Sequence, residues 1–147
     1  MKVLVCIPCL LTGGTEIQTL NLVQALVDGG HEVTTVCYFE YSPDMVQCYE
    51  QAGSKVKLLS SDGTRPVGVW HTLTFLFKRL GRVVKSCCPD VAHVQYMAPG
   101  AIPILILRLL GVKKMIATAH TAADIYSDLR LLHFVVKYVL VGFQCIT

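Results

Sequence analysis

Hydrophobic positions along this chain alternate between two spacings, and glycine or proline stands at most of the changes. Short runs rich in valine, isoleucine and leucine predict strands, whereas apolar residues three or four positions apart predict helices. The predicted strands cover residues 2–8, 31–38, 55–59, 91–95, 112–119 and 143–147. The predicted helices cover about residues 16–28, 43–52, 69–86, 98–110 and 125–141. Strands and helices therefore alternate along the whole chain.

This alternation predicts a doubly wound α/β domain with a mostly parallel, Rossmann-like sheet and helices on both faces. A length of 147 residues suits one such domain, so residues 1–147 are interpreted as a single unit. In sheets of this kind, ligands lie beyond the carboxyl ends of the strands. The loops expected there are residues 9–15, 38–42, 60–66, 95–100 and 119–126.

Composition narrows the class of protein. Hydrophobic residues make up 53% of the chain and charged residues 16%, which predicts some apolar surface that needs covering. A net charge of +3 without a dense block of Lys and Arg argues against nucleic-acid binding. Neither a secretory signal nor a membrane span is predicted, because the apolar stretch 101–110 is short and contains Pro103 and Arg108. A cytoplasmic protein is expected.

The seven cysteines are an odd number without the spacing of a disulfide framework, which indicates a reducing compartment. Cys6 and Cys9 form a C-x-x-C pattern, as in thioredoxin-type pairs, but the predicted helix begins too far after Cys9 to lower a thiol pKa. A zinc site would need two further ligands at matching spacing, and Cys87-Cys88 is a vicinal pair. Both pairs are interpreted as buried small hydrophobic residues, and no metal site is predicted.

The most informative local pattern is Gly13-Gly14-Thr15-Glu16, which follows the first strand and begins the first helix. Glycines adopt backbone angles closed to other residues and let ligand oxygens approach the main chain. The helix that follows favours an anion at its N-terminus, and Glu16 suits the same helix dipole. The pattern therefore predicts a phosphate site, with a tight turn that binds nothing as the alternative.

Taken in order, several segments resemble the amino-terminal domain of GT-B glycosyltransferases of the retaining family 4 (group 1) type. They are Met1-Lys2-Val3-Leu4, Ile7-Pro8, Gly13-Gly14-Thr15-Glu16, Leu20-Asn21-Leu22-Val23-Gln24-Ala25-Leu26, Gly29-Gly30-His31-Glu32-Val33-Thr34, Pro89-Asp90-Val91-Ala92-His93-Val94 and Ala117-Thr118-Ala119-His120. The resemblance covers nearly the whole chain. Thr15 stands where the family more often has alanine, and Gln95 where a second histidine is common.

The resemblance implies transfer of a sugar, with retention, from a nucleotide-sugar donor to a hydroxyl of a glycan or lipid-linked glycan, as in cell-envelope or polysaccharide biosynthesis. It implies neither a cofactor nor a divalent ion. In this family a carboxyl-terminal domain carries most of the nucleotide site. Residues 1–147 contain none, so this chain is expected to be the acceptor-side domain, inactive without that second domain or a partner subunit.

The resemblance also implies roles for individual residues. Gly13 and Gly14 would approach the donor diphosphate or the acceptor through their backbone, and His120 would be catalytic, by binding the donor sugar or relaying a proton. Asp62, Arg65, Gln95 and Tyr96 are possible acceptor-binding residues. His93, inside a predicted strand, is interpreted as structural or as a support to the site.

Two other functions stay open from the residues alone. The incomplete cleft and the high apolar content also suit a non-catalytic binding module with a protein partner. An NAD-dependent oxidoreductase would need G-x-G-x-x-G, which this loop lacks, although Glu40 stands where the ribose-binding acid would be. The predicted third helix, with Lys and Arg on one side and Trp70 nearby, suits either a peripheral membrane contact or an ordinary crossover helix.

Overall fold

The computed structural model describes residues 1–96 and 102–119, which contain five strands and four helices. The strands are β1 (Lys2–Ile7), β2 (Glu32–Cys37), β3 (Lys55–Leu58), β4 (Val91–Tyr96) and β5 (Met115–Ala119). The helices are α1 (Gly14–Asp28), α2 (Pro43–Gln51), α3 (Val69–Cys87) and α4 (Ile102–Leu109). The predicted helix at 125–141, the predicted strand at 143–147 and the start of the predicted fourth helix lie outside the described residues.

The five strands form one sheet in the order β3-β2-β1-β4-β5, and every neighbouring pair is parallel. Chain order therefore reverses between β1 and β4, where Val3 to Cys6 lie beside Val91 to Val94. This arrangement confirms the predicted doubly wound parallel sheet. The reversal also places the loop after β1 at the crevice where such sheets bind ligands.

Each face of the sheet buries its own apolar core, because successive side chains of a strand point to opposite faces. In β1, Val3, Val5 and Ile7 belong to the core that includes α1 and α2. Leu4 and Cys6 belong to the other core, which α3 and α4 cover. Helices therefore pack on both faces, as the alternation of elements predicted.

Two of the predicted element bounds within the described residues differ from the observed ones by two residues or more. α1 begins at Gly14, two residues before the predicted start. β5 begins at Met115 and not at residue 112, although Val112 is apolar and buried. The reason is that the Val112 N–H donates to the carbonyl oxygen of Leu107 and so closes the end of α4. Among the described helices, none is both long enough and apolar enough to cross a membrane.

Candidate functional site

Three loops at the carboxyl edge of the sheet are joined by hydrogen bonds to main-chain carbonyls. Residues 8–14 after β1, here called the glycine loop, contact the loop after β2 through a bridge between Leu10 and Tyr41. The Leu10 N–H donates to the Glu40 carbonyl at 2.9 Å, and the Ser42 N–H donates to the Leu10 carbonyl at 2.8 Å. The Tyr41 hydroxyl donates to the Ser61 carbonyl at 3.1 Å. The glycine loop is thereby held beside residues 60–66, here called the polar loop.

The two glycines of the glycine loop have ordinary backbone angles, which corrects the prediction of special ones. Gly13 precedes the first turn of α1 with φ −156° and ψ 170°, an extended conformation that other residues adopt. What Gly13 provides is room, since a Cβ there would lie 2.5 Å from Oε2 of Glu16. Gly14 is exposed, and a Cβ there would meet nothing within 4 Å. The space above Gly14 is therefore open to a ligand.

Glu16 is the residue whose surroundings the sequence prediction missed. It lies in the first turn of α1 yet is only 8% exposed, with its carboxylate against Gly13. Its Oε1 accepts a hydrogen bond from the Cys9 thiol at 3.1 Å, and its carbonyl oxygen accepts one from the Tyr49 hydroxyl at 2.7 Å. A carboxylate in the first helical turn is stabilised by the positive end of the helix dipole. The Glu16 carboxylate thus lies on the Gly13 side of the loop, beside the open space at Gly14.

The cysteines near the glycine loop are poor nucleophiles. Burial raises the pKa of Cys6 to about 12 and that of Cys37 to about 11. Burial and the hydrogen bond to Glu16 together raise the pKa of Cys9 to about 12. These thiols are protonated near neutral pH, which argues against redox chemistry of the thioredoxin type.

The six described cysteines are all free thiols, and their burial only partly matches the prediction. Cys6 is buried as expected, but Cys9 is partly exposed and Cys88 is exposed. Cys88 ends α3 in the left-handed conformation, with φ 45°, immediately before Pro89. Its thiol donates to the Lys85 carbonyl at 3.4 Å and stays accessible to solvent at the end of the helix. Among residues 1–96 and 102–119, no group of three His, Cys, Asp or Glu side chains could hold a metal ion.

The polar loop holds two of the predicted acceptor-binding residues. Asp62 is exposed, and its carboxylate accepts hydrogen bonds from the hydroxyls of Thr64 at 3.0 Å and Ser60 at 3.1 Å. These two bonds, that of Thr64 first, hold the pKa of Asp62 below its usual value. Asp62 therefore organises its own loop in this structure.

Arg65 is held at the boundary between the polar loop and the loop after β2. Its guanidinium lies 4.8 Å from the centre of the Phe39 ring and 3.3 Å from Oε2 of Glu40. More than half of the side chain, 58%, remains exposed. In the oxidoreductase interpretation, Glu40 would bind the ribose of the cofactor, whereas in this structure its carboxylate pairs with Arg65. A fixed and accessible guanidinium of this kind suits a phosphate or carboxylate ligand.

The remaining predicted site residues lie at the end of β4 or beyond it. Gln95 is buried, at 3% exposure, and pairs in register with Thr118 of β5. Tyr96 is the last residue of β4 and so lies at the carboxyl edge. Nε2 of His93 is 2.8 Å from the Thr118 hydroxyl, a hydrogen bond that suits the structural role predicted for His93. His120 lies outside the described residues.

The fold resembles those of several solved structures. A glycosyltransferase from Rickettsia africae ESF-5 superposes with a TM-score of 0.67 at 18% identity, over 90% of this chain and 33% of that one. MurG from Acinetobacter baumannii superposes with a TM-score of 0.60 at 16% identity, over 96% of this chain and 39% of that one. UDP-GlcNAc 2-epimerase from Neisseria meningitidis, bound to UDP-GlcNAc, superposes with a TM-score of 0.55 at 14% identity, over 89% of this chain and 35% of that one.

These similarities define the architecture as one shared by enzymes of different reactions, since one of the three is an epimerase. This chain spans between 33% and 39% of the length of those proteins. Sequence decides the family. The profile of Glycosyltransferase Family 4 matches residues 12–144, and the chain therefore belongs to that family. No curated protein sequence is significantly similar to it.

Proposed function

We propose that this chain is the acceptor-side domain of a retaining glycosyltransferase of the group 1 type. The whole enzyme would transfer a sugar from a nucleotide-sugar donor to a hydroxyl of a glycan or lipid-linked glycan. Family membership supports the transferase class, and the chain spans only about a third of the matched glycosyltransferase from Rickettsia africae. A second domain, following residue 147 or in a partner subunit, would supply most of the nucleotide site.

The observation that carries the proposal is the position of the glycine loop. It lies where the strand order reverses, and open space lies above the exposed Gly14. The first-turn N–H groups of a helix have no acceptor within the helix, and those of α1 would donate hydrogen bonds to the diphosphate or to the acceptor. Such donors stabilise charge that develops on a leaving diphosphate.

The other site residues would act around this point. His120 would bind the donor sugar or relay a proton, because a histidine titrates near neutral pH. Arg65 and Asp62 would bind the acceptor from the polar loop, and Gln95 and Tyr96 would do so from the end of β4. The nucleotide sugar is the donor substrate, and neither a cofactor nor a divalent ion is assigned a role.

A transfer assay on the full-length gene product with a panel of nucleotide sugars tests this proposal. His120→Ala is expected to lower kcat roughly a hundredfold if the residue moves a proton. Gly14→Ala is expected to lower transfer while the protein stays folded, since its Cβ would enter the ligand space and meet no protein atom.

Gly81→Ala is the matched control for Gly14→Ala. It makes the same exchange inside α3, where the new Cβ would contact Leu110 at an ordinary 3.4 Å. At Gly81, inside α3, alanine favours the helical conformation by roughly 0.5–1 kcal/mol, whereas at Gly14, the exposed first residue of α1, this gain is smaller. Gly81→Ala therefore controls for the glycine-to-alanine exchange in a helix away from the site. Unchanged transfer in both Gly14→Ala and His120→Ala would refute the site assignment. Absence of transfer with every donor in the panel would count against the enzyme itself.

The proposed location is the cytoplasm, with peripheral contact at the cytoplasmic face of the membrane. A lipid-linked acceptor would require access to that surface. The likeness to MurG and the sugar chemistry of the family suit a role in cell-envelope or polysaccharide biosynthesis.

A further inference from the structure

An open groove of about 350 Å³ runs along one side of α3. The residues that line it are Pro66, His71, Phe75, Lys78, Arg79 and Arg82, among others. Those of α3 lie three or four positions apart and so share one face of the helix. Between His71 and Arg82 the helix rises by about 16 Å, since each residue adds about 1.5 Å. The groove is therefore long enough for an extended ligand.

The groove carries positive charge and no negative charge. Lys78, Arg79 and Arg82 are exposed, and none of the lining residues is acidic. In the described part of the chain, the only ion pairs join β2 to β3 and the loop after β2 to the polar loop, so no carboxylate there neutralises these cations. Solvated helix faces usually mix charges of both signs. A groove of one sign favours a ligand of the opposite sign.

The groove adjoins the polar loop, to which acceptor binding is assigned above. Pro66, at the end of the groove, directly follows Arg65. The Thr72 hydroxyl donates to the Pro66 carbonyl at 3.2 Å and so ties the polar loop to the first turn of α3. From there α3 leads away from the carboxyl edge, because a crossover helix returns to the amino ends of the strands. The groove therefore starts beside the candidate site and extends away from it.

Two arginines are held at this junction by a pair of stacked aromatic rings. The Arg65 guanidinium lies 4.8 Å from the centre of the Phe39 ring, and that of Arg79 lies 5.9 Å from the centre of the Phe75 ring. The centres of the two rings are 6.4 Å apart, and their planes are 21° from parallel. One continuous stack thus joins the polar loop to the groove. Because stacking restricts both guanidinium groups beforehand, they lose less conformational entropy when they bind a ligand.

The lining of the groove suits a sugar chain that carries acidic groups. Guanidinium groups bind carboxylates and phosphates through paired N–H donors. Phe75 offers an apolar ring, and Thr74 and His71 offer hydrogen-bonding groups, which match the apolar face and the hydroxyls of a sugar. Nucleic-acid binding depends on many phosphate contacts, which a net charge of +3 without a dense block of Lys and Arg does not supply.

We propose that this groove binds an acidic glycan, namely the part of the acceptor chain beyond the sugar that receives the transferred residue. Its carboxylates or phosphates would pair with Lys78, Arg79 and Arg82, and its sugar rings would lie against Phe75 and Pro66. The inference rests on the proposed function, which assigns acceptor binding to the neighbouring polar loop. It deepens that function, because it makes the acceptor an extended chain with negative charge.

Binding of defined tetrasaccharides to the full-length gene product tests the charge requirement without any transfer. In isothermal titration calorimetry, tetragalacturonate, with a carboxylate on every ring, is expected to bind at least about tenfold more tightly than uncharged maltotetraose. Maltotetraose phosphorylated at its 6-hydroxyls is the second acidic probe, and the tighter of the two identifies the acidic group of the acceptor. Added salt should weaken binding of both acidic chains, since the groove is open to solvent.

Three results of the titrations would overturn the proposal. The first is equal binding of charged and uncharged tetrasaccharides. The second is no binding of either acidic chain. The third is tighter binding of oligothymidylate than of both acidic chains, which would assign the groove to a nucleic acid.

Charge removal locates the binding site. Lys78→Gln/Arg82→Gln is expected to weaken binding of tetragalacturonate roughly twentyfold, since an ion pair open to solvent contributes up to about fivefold. Lys113→Gln/Lys114→Gln is the matched control, because it removes the same charge from exposed positions before β5. It is expected to change the affinity little. Equal losses in the two double variants would show attraction by net charge alone and would overturn the assignment to the groove.

Binding and transfer can fail separately, because the titrations need no donor. A gene product that transfers sugar but binds acidic and uncharged tetrasaccharides equally would refute only the groove. One that binds tetragalacturonate through Lys78 and Arg82 but transfers no sugar from any donor would refute the transferase and leave a site for acidic glycans.

Discussion

The Tyr49 hydroxyl donates a hydrogen bond to the carbonyl oxygen of Glu16, with 2.7 Å between the oxygens. Tyr49 lies in α2 and is completely buried, whereas Glu16 lies in the first turn of α1. This contact fixes the start of α1, and with it the glycine loop, against the neighbouring helix. The position of the candidate site therefore depends on a side chain that is not itself part of the site.

Tyr49→Phe is expected to lower the free energy of unfolding by about 1 kcal/mol, because the buried hydrogen bond from its hydroxyl to the Glu16 carbonyl is lost. Tyr38→Phe is the matched control. The Tyr38 hydroxyl is equally buried but, among the described residues, has only the weakly bonding Cys6 thiol near it. Its removal should leave stability unchanged or slightly higher. Urea unfolding of both variants measures the difference, and equal losses would contradict the role given to the Tyr49 hydroxyl.

Gly53→Ala is expected to destabilise the fold more than Gly30→Ala. Both glycines have positive φ, 87° and 77°, so each alanine incurs a similar strain of roughly 1 kcal/mol. Only at Gly53 would the new Cβ collide with a neighbour, since Cγ1 of Val27 would be 2.9 Å away. Thermal unfolding of the two variants tests this, and an equal drop in Tm would show that Val27 moves aside freely.

Glu16→Gln is expected to increase the reactivity of Cys9 towards a thiol-specific reagent near neutral pH. Burial, then the hydrogen bond to Glu16 and then its negative charge raise the pKa of the Cys9 thiol to about 12. Glutamine keeps an acceptor oxygen but removes the charge and adds N–H donors, and both changes favour the thiolate. Labelling followed by peptide mass spectrometry gives the rate at each cysteine. Cys48, which is exposed, is the internal control and should react equally in both proteins. A Cys9 rate that does not change would indicate that burial alone protects the thiol.

The pair of Glu32 and Lys55 is expected to support stability at neutral pH and not in acid. Lys55, whose Nζ is 2.7 Å from Oε1 of Glu32, lowers the pKa of Glu32 from its usual 4.5. A depressed carboxyl pKa stabilises the fold above 4.5 and ceases to do so as pH falls through the folded value. Unfolding of Glu32→Gln and the natural chain at neutral and acid pH should show a small difference that disappears in acid. Since both side chains are exposed, high salt should reduce it too.

Local pattern was sufficient to predict the class of the fold. Continuous apolar runs such as Val3 to Ile7 mark a strand covered on both faces. The predicted strands β1 to β4 lie within one or two residues of the observed ones. The start of β5 was not predictable in this way. Val112 is apolar and buried like a strand residue, but its N–H donates to the Leu107 carbonyl at the end of α4. The spacing of apolar residues along a sequence indicates which side chains are buried, but it does not indicate which acceptor each backbone N–H binds.

The candidate site was predicted less completely, for reasons of the same kind. The place of the glycine loop follows from the order of elements, but its bridge from Leu10 to Tyr41 joins distant parts of the chain, which no local pattern records. The burial of Glu16 could have been predicted from the sequence. Gly13 immediately precedes α1, and a glutamate three residues after such a position often folds back towards it. The stacking of Arg65 on Phe39 could not have been predicted, because it depends on how two loops approach each other.

The two hydrogen bonds of Leu10 couple the movement of one loop to that of the next. The Leu10 N–H is bonded to the Glu40 carbonyl and the Leu10 carbonyl to the Ser42 N–H. A ligand that displaced Leu10 would therefore have to break both bonds or draw residues 40–42 along with it. Occupation of the space above Gly14 would in that case be transmitted to the ion pair of Glu40 and Arg65.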